Sequence, residues 1–126
     1  MLYAVSLADD VLVLVTPEPT SMTDAYATIK VLATQQQRRA IQVVVNQVGR
    51  AGEGKVIRNQ LQLVVDKFVT PVLPEGSAPT LLELIGEVPL DPAVREAVQK
   101  RRLLLELLPG CVAAQAVEAI AAKIAP

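Results

Sequence analysis

The sequence predicts an α/β fold: a three-layer open sheet of about three mainly parallel strands flanked by helices. Three observations carry this. First, Val11–Val15 and Ile41–Val45 are apolar runs rich in β-branched residues. Strands buried on both faces look like that, whereas half-exposed strands alternate. Second, each run is followed by a turn and then by apolar residues at helical spacing, the order of a βα unit; parallel strands need such crossovers. Third, the 126 residues are 52% hydrophobic and 20% charged, one domain's length with enough apolar material for a core.

Residues 1–10 are expected to form a short helix, with Leu2, Val5 and Leu7 apolar. Acid at a helix C-terminus is unfavourable, so Asp9-Asp10 mark the turn into the first strand, Val11–Val15. Pro17 and Pro19 end that strand, because proline cannot donate to a ladder. Thr20 or Ser21 is expected to cap a helix with Asp24 in its first turn and Ala25, Ile29, Leu32 and Ala33 inward. Gln35–Ala40 is a polar break. Ile41–Val45 forms the second strand and ends at Asn46. Gly49, Gly52 and Gly54 suggest a flexible loop. A second helix is expected over about Glu53 to Phe68, with Val56, Leu61, Val64, Val65 and Phe68 inward.

Residues 70–80, rich in proline, read as a loop or linker. Leu81–Val88 leads into a third strand centred on Leu84–Val88. Asp91 is placed as a helix N-cap, with Pro92 at the first helical position. Residues 93–100 continue that helix, Leu103–Leu108 make a short apolar turn, and Pro109-Gly110 break the chain. A last helix runs over Ala113–Ile124, with Ala116, Val117, Ile120, Ala121 and Ile124 on one face. At least one edge of so small a sheet should be bare, which invites pairing with another chain.

Composition removes several functions. Twelve basic and thirteen acidic side chains give a net charge of −1. That balance, with aromatics at 2%, gives no footprint for nucleic acid or an anionic membrane. With no histidine and Cys111 as the single cysteine, a Cys/His zinc site, a Ser-His-Asp triad and an internal disulfide are excluded. The lone thiol suits a cytoplasmic protein. No apolar run approaches the roughly 18 residues that span a bilayer, and the start lacks a signal-peptide pattern.

In an open α/β sheet, ligands bind beyond the carboxyl ends of the strands. Three loops meet there: Pro17–Thr20, Asn46–Gly54 and Pro89–Asp91. Asn46 offers an amide that can pair with a purine edge, and it is equally a residue that tolerates turn dihedrals. Pro89, Leu90 and Asp91 offer a wall for a base, and Asp91 is equally an ordinary helix cap. The stretch Gly49–Lys55 follows a strand and ends in lysine, but Val56 follows Lys55, so it lacks the GxxxxGK[ST] order of a phosphate loop. Arg95, Lys100, Arg101 and Arg102 cluster at one helix end, where cations suit the dipole. Glu18, Asp24 and Asp91 show no pairing that supports acid-base chemistry, so no catalytic residue and no metal site is expected.

The run ADDVLVLVTPEPTSMTDAYATIKVL, then VVVNQV, then GEVPLDPAVREAVQKRRLLLELLPGCVAAQAVEAIA closely resembles the C-terminal half of MinD/ParA-type P-loop ATPases. Within that group it looks most like the FlhG (FleN) regulators of flagellar number. The resemblance covers nearly the whole chain, apart from the proline-rich insert, and implies a partial P-loop NTPase fold in one domain. It implies that Asn46 contacts adenine, that Pro89, Leu90 and Asp91 flank the base, and that Pro17–Thr20 lie near the nucleotide edge and dimer face. Full-length members of the family use ATP and Mg. The deviant Walker A motif and the switch segments are absent from these 126 residues, so the resemblance implies an inactive piece that binds no cofactor alone. It implies either an excised portion, whose partner is the missing N-terminal half, or a product that kept this half for another use. The alternative from the residues is a standalone interaction module that self-associates through its sheet edge.

Overall fold

A computed structural model describes residues 10–124. The helix expected at residues 1–10 therefore lies outside the described residues, apart from Asp10. The elements in order are β1 (Leu12–Val15), α1 (Pro19–Gln35), β2 (Ala40–Val48), α2 (Glu53–Val64), β3 (Leu81–Pro89), α3 (Pro92–Gln99), α4 (Leu104–Leu107) and α5 (Val112–Ile124). The three strands form one parallel sheet in the order β1-β2-β3.

β2 and β3 are covered on both faces, whereas β1, expected to be buried on both, is covered on one only because α5 does not reach it. One face packs against α1 and α2 through Val13, Val15, Ile41, Val43, Val45 and Leu82. On the other face Val44, Ile85 and Val88 meet Ala113 and Ile120 of α5. That is the expected three-layer arrangement, with the α5 layer covering β2 and β3. On the α5 side of β1, Leu12 and Leu14 remain 39% and 65% exposed.

Gly86 makes the α5 layer possible. A Cβ there would stand 2.6 Å from Ile120 Cγ1. Register shifts beside it: Val43 pairs with Leu84 and Val44 with Gly86, so Ile85 is the extra residue of a bulge. Lys123 Nζ of α5 donates to the Ile85 carbonyl at 2.8 Å.

Several local expectations need correction. Helix α1 begins at Pro19 with Glu18 at the cap and no side-chain cap bond, and its first turn holds no acid. Ser21 Oγ instead accepts from Thr16 N at 2.9 Å, tying the helix start to the end of β1. The inward residues of α1 are the four expected.

In α2 the phase differs. Val56 and Phe68 are 49% and 53% exposed, while Ile57, Leu61, Val65 and Val69 are buried. An α-helix drifts about 40° on each four-residue step. Here the α-helix passes at Val65–Val69 into a wider π turn, which brings Val69 back onto the buried face. A 3-10 turn over Thr70–Val72 follows, so the expected loop is ordered at its start. In α5, Ala113, Ala114 and Ile120 are buried, whereas Val117 and Ile124 are 38% and 40% exposed. The helix rests on a narrower stripe than the sequence pattern suggested, because Gly86 draws it close at Ile120.

Candidate functional site at the strand tips

Asn46 lies near the carboxyl end of the central strand, level with Val88 of β3. Two residues on, Val48 pairs with Pro89 across a second irregularity, and Gln47 takes a left-handed φ of 58° as the extra residue. That twist turns the Asn46 side chain back on its own strand end: its Oδ1 accepts from Gln47 N at 2.9 Å. The amide nitrogen keeps its hydrogens available to donate. Leu90 N donates to Val48 O at 2.9 Å, binding the β2 and β3 ends together. Leu90 itself is 68% exposed. The tips thus place an amide donor and the Pro89–Leu90 segment at the same end of the sheet. The Pro17–Thr20 loop begins two residues after Val15, which pairs with Val45 just before Asn46.

Asp91 does more than the sequence suggested. Its Oδ1 accepts from Ala93 N at 3.0 Å, capping α3 as expected. Its Oδ2 accepts from Ala113 N at 3.1 Å, in the first turn of α5. One carboxylate therefore holds two helix N-termini, where the dipoles favour negative charge. The Ala93 and Ala113 backbone bonds hold its carboxyl below the ordinary aspartate value, against the opposing effect of desolvation and with a smaller contribution from the Cys111 side chain. Cys111 completes the junction, its Sγ accepting from Ala114 N at 3.4 Å. With both oxygens engaged, Asp91 shapes the tip.

The glycine-rich stretch after β2 is pinned, contrary to the expectation of a flexible loop. Gly52, at φ 89°, precedes α2. Glu53 Oε1 accepts from Gly49 N at 2.8 Å. Glu87, reaching from β3, accepts from Gly52 N and Gly54 N at 3.2 Å each. A side chain at Gly54 would meet Glu87, at 2.9 Å from its Cβ. Two carboxylates thus occupy the donors that would otherwise attract a phosphate. With those donors taken, this helix start does not fit a triphosphate. Sequence reasoning missed Glu87 because it caps a helix more than thirty residues away in sequence. Among the described residues, no group of His, Cys, Asp and Glu is placed to hold a metal ion.

No family model matches the sequence. Over 120 residues, 95% of the chain, it is 36% identical to the antiactivator FleN of Pseudomonas aeruginosa. The chain is homologous to the C-terminal part of a MinD/ParA-type ATPase of the FlhG/FleN kind. A second relative of this FlhG/FleN homologue is the flagellum site-determining protein YlxH of Helicobacter pylori, 25% identical over 114 residues and 90% of the chain. Among solved structures, the MinD cell division protein of Aquifex aeolicus superposes with a TM-score of 0.64 and 26% identity over 96% of the chain. The three-stranded parallel sheet is thus a partial P-loop NTPase-like fold. The chain spans 40% of FleN, 35% of YlxH and 45% of the MinD chain.

Proposed function

We propose that this chain is the base-side portion of a FlhG/FleN-like ATPase domain that acts in the number or placement of flagella. It supplies adenine-side and dimer-face elements and performs no ATP hydrolysis by itself. The supporting observation is the tip geometry: Asn46 stands level with Val88, and the Leu90–Val48 hydrogen bond closes the neighbouring Pro89–Leu90 surface onto the same end. Asn46 donates its amide hydrogens to a ring nitrogen of the base. Pro89 and Leu90 pack on the ring face, and Asp91 positions both by anchoring α3 and α5.

ATP with Mg is the nucleotide the resemblance implies, and a triphosphate would be held by residues outside these 126. Loop amides, a lysine and a metal-bound hydroxyl supply most binding and catalytic stabilisation in P-loop enzymes. The chain alone is therefore expected to bind MgATP very weakly. No helix among the described residues is long and apolar enough to cross a membrane, and cytoplasmic residence is part of the proposal.

The test is a titration of the isotope-labelled chain with millimolar adenosine and MgATP, followed by amide chemical shifts. Shifts centred on Asn46–Gly49 and Val88–Asp91, similar for both compounds and lost in Asn46→Ala, support the reading. Phosphate release, micromolar MgATP affinity, or shifts confined to another part of the fold overturn it.

A further inference from the structure

Helix α3 and the short helix α4 present an exposed apolar row. Ala97 is the residue of α3 that is buried. Val94 and Val98, one turn apart on another face, are 39% and 70% exposed, and Leu103, at the cap of α4, is 68% exposed. Both helices follow β3, the strand farthest from β1 in the sheet order. Cations rim the row. Arg95 stands one position beyond Val94, and Lys100, Arg101 and Arg102 come soon after Val98. Lys100 is engaged with Glu96 at 3.0 Å. Arg95, Arg101 and Arg102 are exposed and have no hydrogen-bonded or ion-pair partner for their side chains among the described residues.

The end of α3 holds one of these arginines in a costly conformation. Arg102 N donates to Ala97 O at 3.0 Å and Arg101 N to Val98 O at 3.1 Å, the pair of bonds that closes a helix around a left-handed residue. Arg101 is that residue, at φ 54°. Glycine adopts this conformation freely and arginine does not. The fold gains nothing from the Arg101 guanidinium, which has no partner in it.

We infer that the α3–α4 surface docks an acidic amphipathic helix of a partner protein, whose apolar residues cover Val94, Val98 and Leu103 and whose carboxylates pair with Arg95, Arg101 and Arg102. Charge complementarity selects this occupant. The chain has a net charge of −1, yet residues 93–107 hold four cations against Glu96 and Glu106, so the attraction is local. A second copy would bring two basic rims together. Nucleic acid would pair with the cations and leave the apolar row uncovered. An interfacial membrane helix buries bulky Trp, Phe or Leu, whereas α3 offers valines over eight residues. A helix with apolar anchors one turn apart and Asp or Glu beside them satisfies both the row and its rim, and the planar fork of arginine suits a carboxylate.

The probe is a fluorescent peptide of about 18 residues, long enough to be helical, with leucines along one face and glutamates on its flanks. Anisotropy with the 126-residue chain is read without nucleotide, so the outcome is independent of the base site. Saturable micromolar binding is expected. It should weaken about tenfold or more when the peptide's glutamates become lysines, and also when salt rises from roughly 0.05 to 0.5 M. Val98→Gln, and the double change of Arg101→Glu with Arg102→Glu, should each lose about tenfold while keeping the parent's far-UV spectrum. Arg101→Gly should lose about threefold and yet unfold at higher urea, because glycine relieves the left-handed strain as the charge is removed. Leu63→Gln, on the exposed side of α2, should bind as the parent does. Failure to bind at millimolar peptide, equal affinity for the lysine peptide, or unchanged affinity in both Val98→Gln and the double variant would overturn the inference. So would binding that depends on Arg101 and Arg102 to phosphatidylglycerol vesicles, to duplex DNA or to a second copy of the chain.

Discussion

Replacing Gly86 by alanine probes the contact on which the α5 layer depends. The added methyl would sit 2.6 Å from Ile120 Cγ1 and 3.1 Å from Cδ1. Ordinary carbon-carbon contacts are about 3.5–4.0 Å, so the deficit at Cγ1 is about 1 Å. Rotation about χ2 can move Cδ1, but Cγ1 moves only with χ1, which a β-branched residue in a helix holds in one strongly preferred rotamer, and Ile120 is only 9% exposed. Relief therefore requires α5 to lift from β3, and overpacking of this kind costs about 1–3 kcal/mol. The assay is urea unfolding of Gly86→Ala, Ile120→Ala and the double variant. Ile120→Ala alone should cost about 2–4 kcal/mol as a cavity. The double variant should cost less than the sum of the singles by about 1 kcal/mol or more, since the two sites share one space. Amide exchange at Ala113 should also quicken in Gly86→Ala, because lifting α5 loosens its bond to Asp91. A neutral Gly86→Ala, or strict additivity in the cycle, would refute the close-approach argument.

Three further outcomes follow from the hydrogen bonds. Because the Asp91 carboxyl is held below its ordinary value, its contribution to stability is present above the unfolded aspartate range near pH 4 and is lost as pH falls through the lower folded value. Urea midpoints across the acid range should therefore fall less steeply in Asp91→Asn, which should start from a lower midpoint at neutral pH. Gln62→Leu leaves Leu82 N and Thr80 O unpaired in a buried setting and should cost roughly 2–4 kcal/mol in the same assay. It should also raise light scattering at high concentration as the β3 edge becomes available. Lys123→Met keeps the apolar stem and loses the bond to Ile85 O, with an expected cost of about 0.5–1.5 kcal/mol by thermal or urea unfolding.

Much of the fold was legible because the signals were local. The strands over Val11–Val15 and Ile41–Val45 were readable from their apolar β-branched runs, although β1 proves buried on one face only, with Leu12 and Leu14 exposed. Asp91-Pro92 announces a helix start within two residues, and Asn46 was singled out as the first polar residue after an apolar run. What escaped was set by contacts distant in sequence. Glu87 caps α2 from another strand, Asp91 reaches Ala113, and Gln62 poses as a strand neighbour of Leu82; no periodicity encodes these. The phase of α2 escaped for another reason. At its start the choice lay between the adjacent apolar residues Val56 and Ile57, and Ile57 is the one that packs; at its end the π turn over Val65–Val69 breaks the 3.6-residue rhythm and puts Val69 inside in place of Phe68.

Gln62 and Arg58 of α2 bond Thr80 O and both backbone groups of Leu82 where β3 begins. A strand from another chain finds no foothold there, because the groups it would use are already taken. Two side chains of α2 thereby blunt that end of β3 against ribbon-like growth.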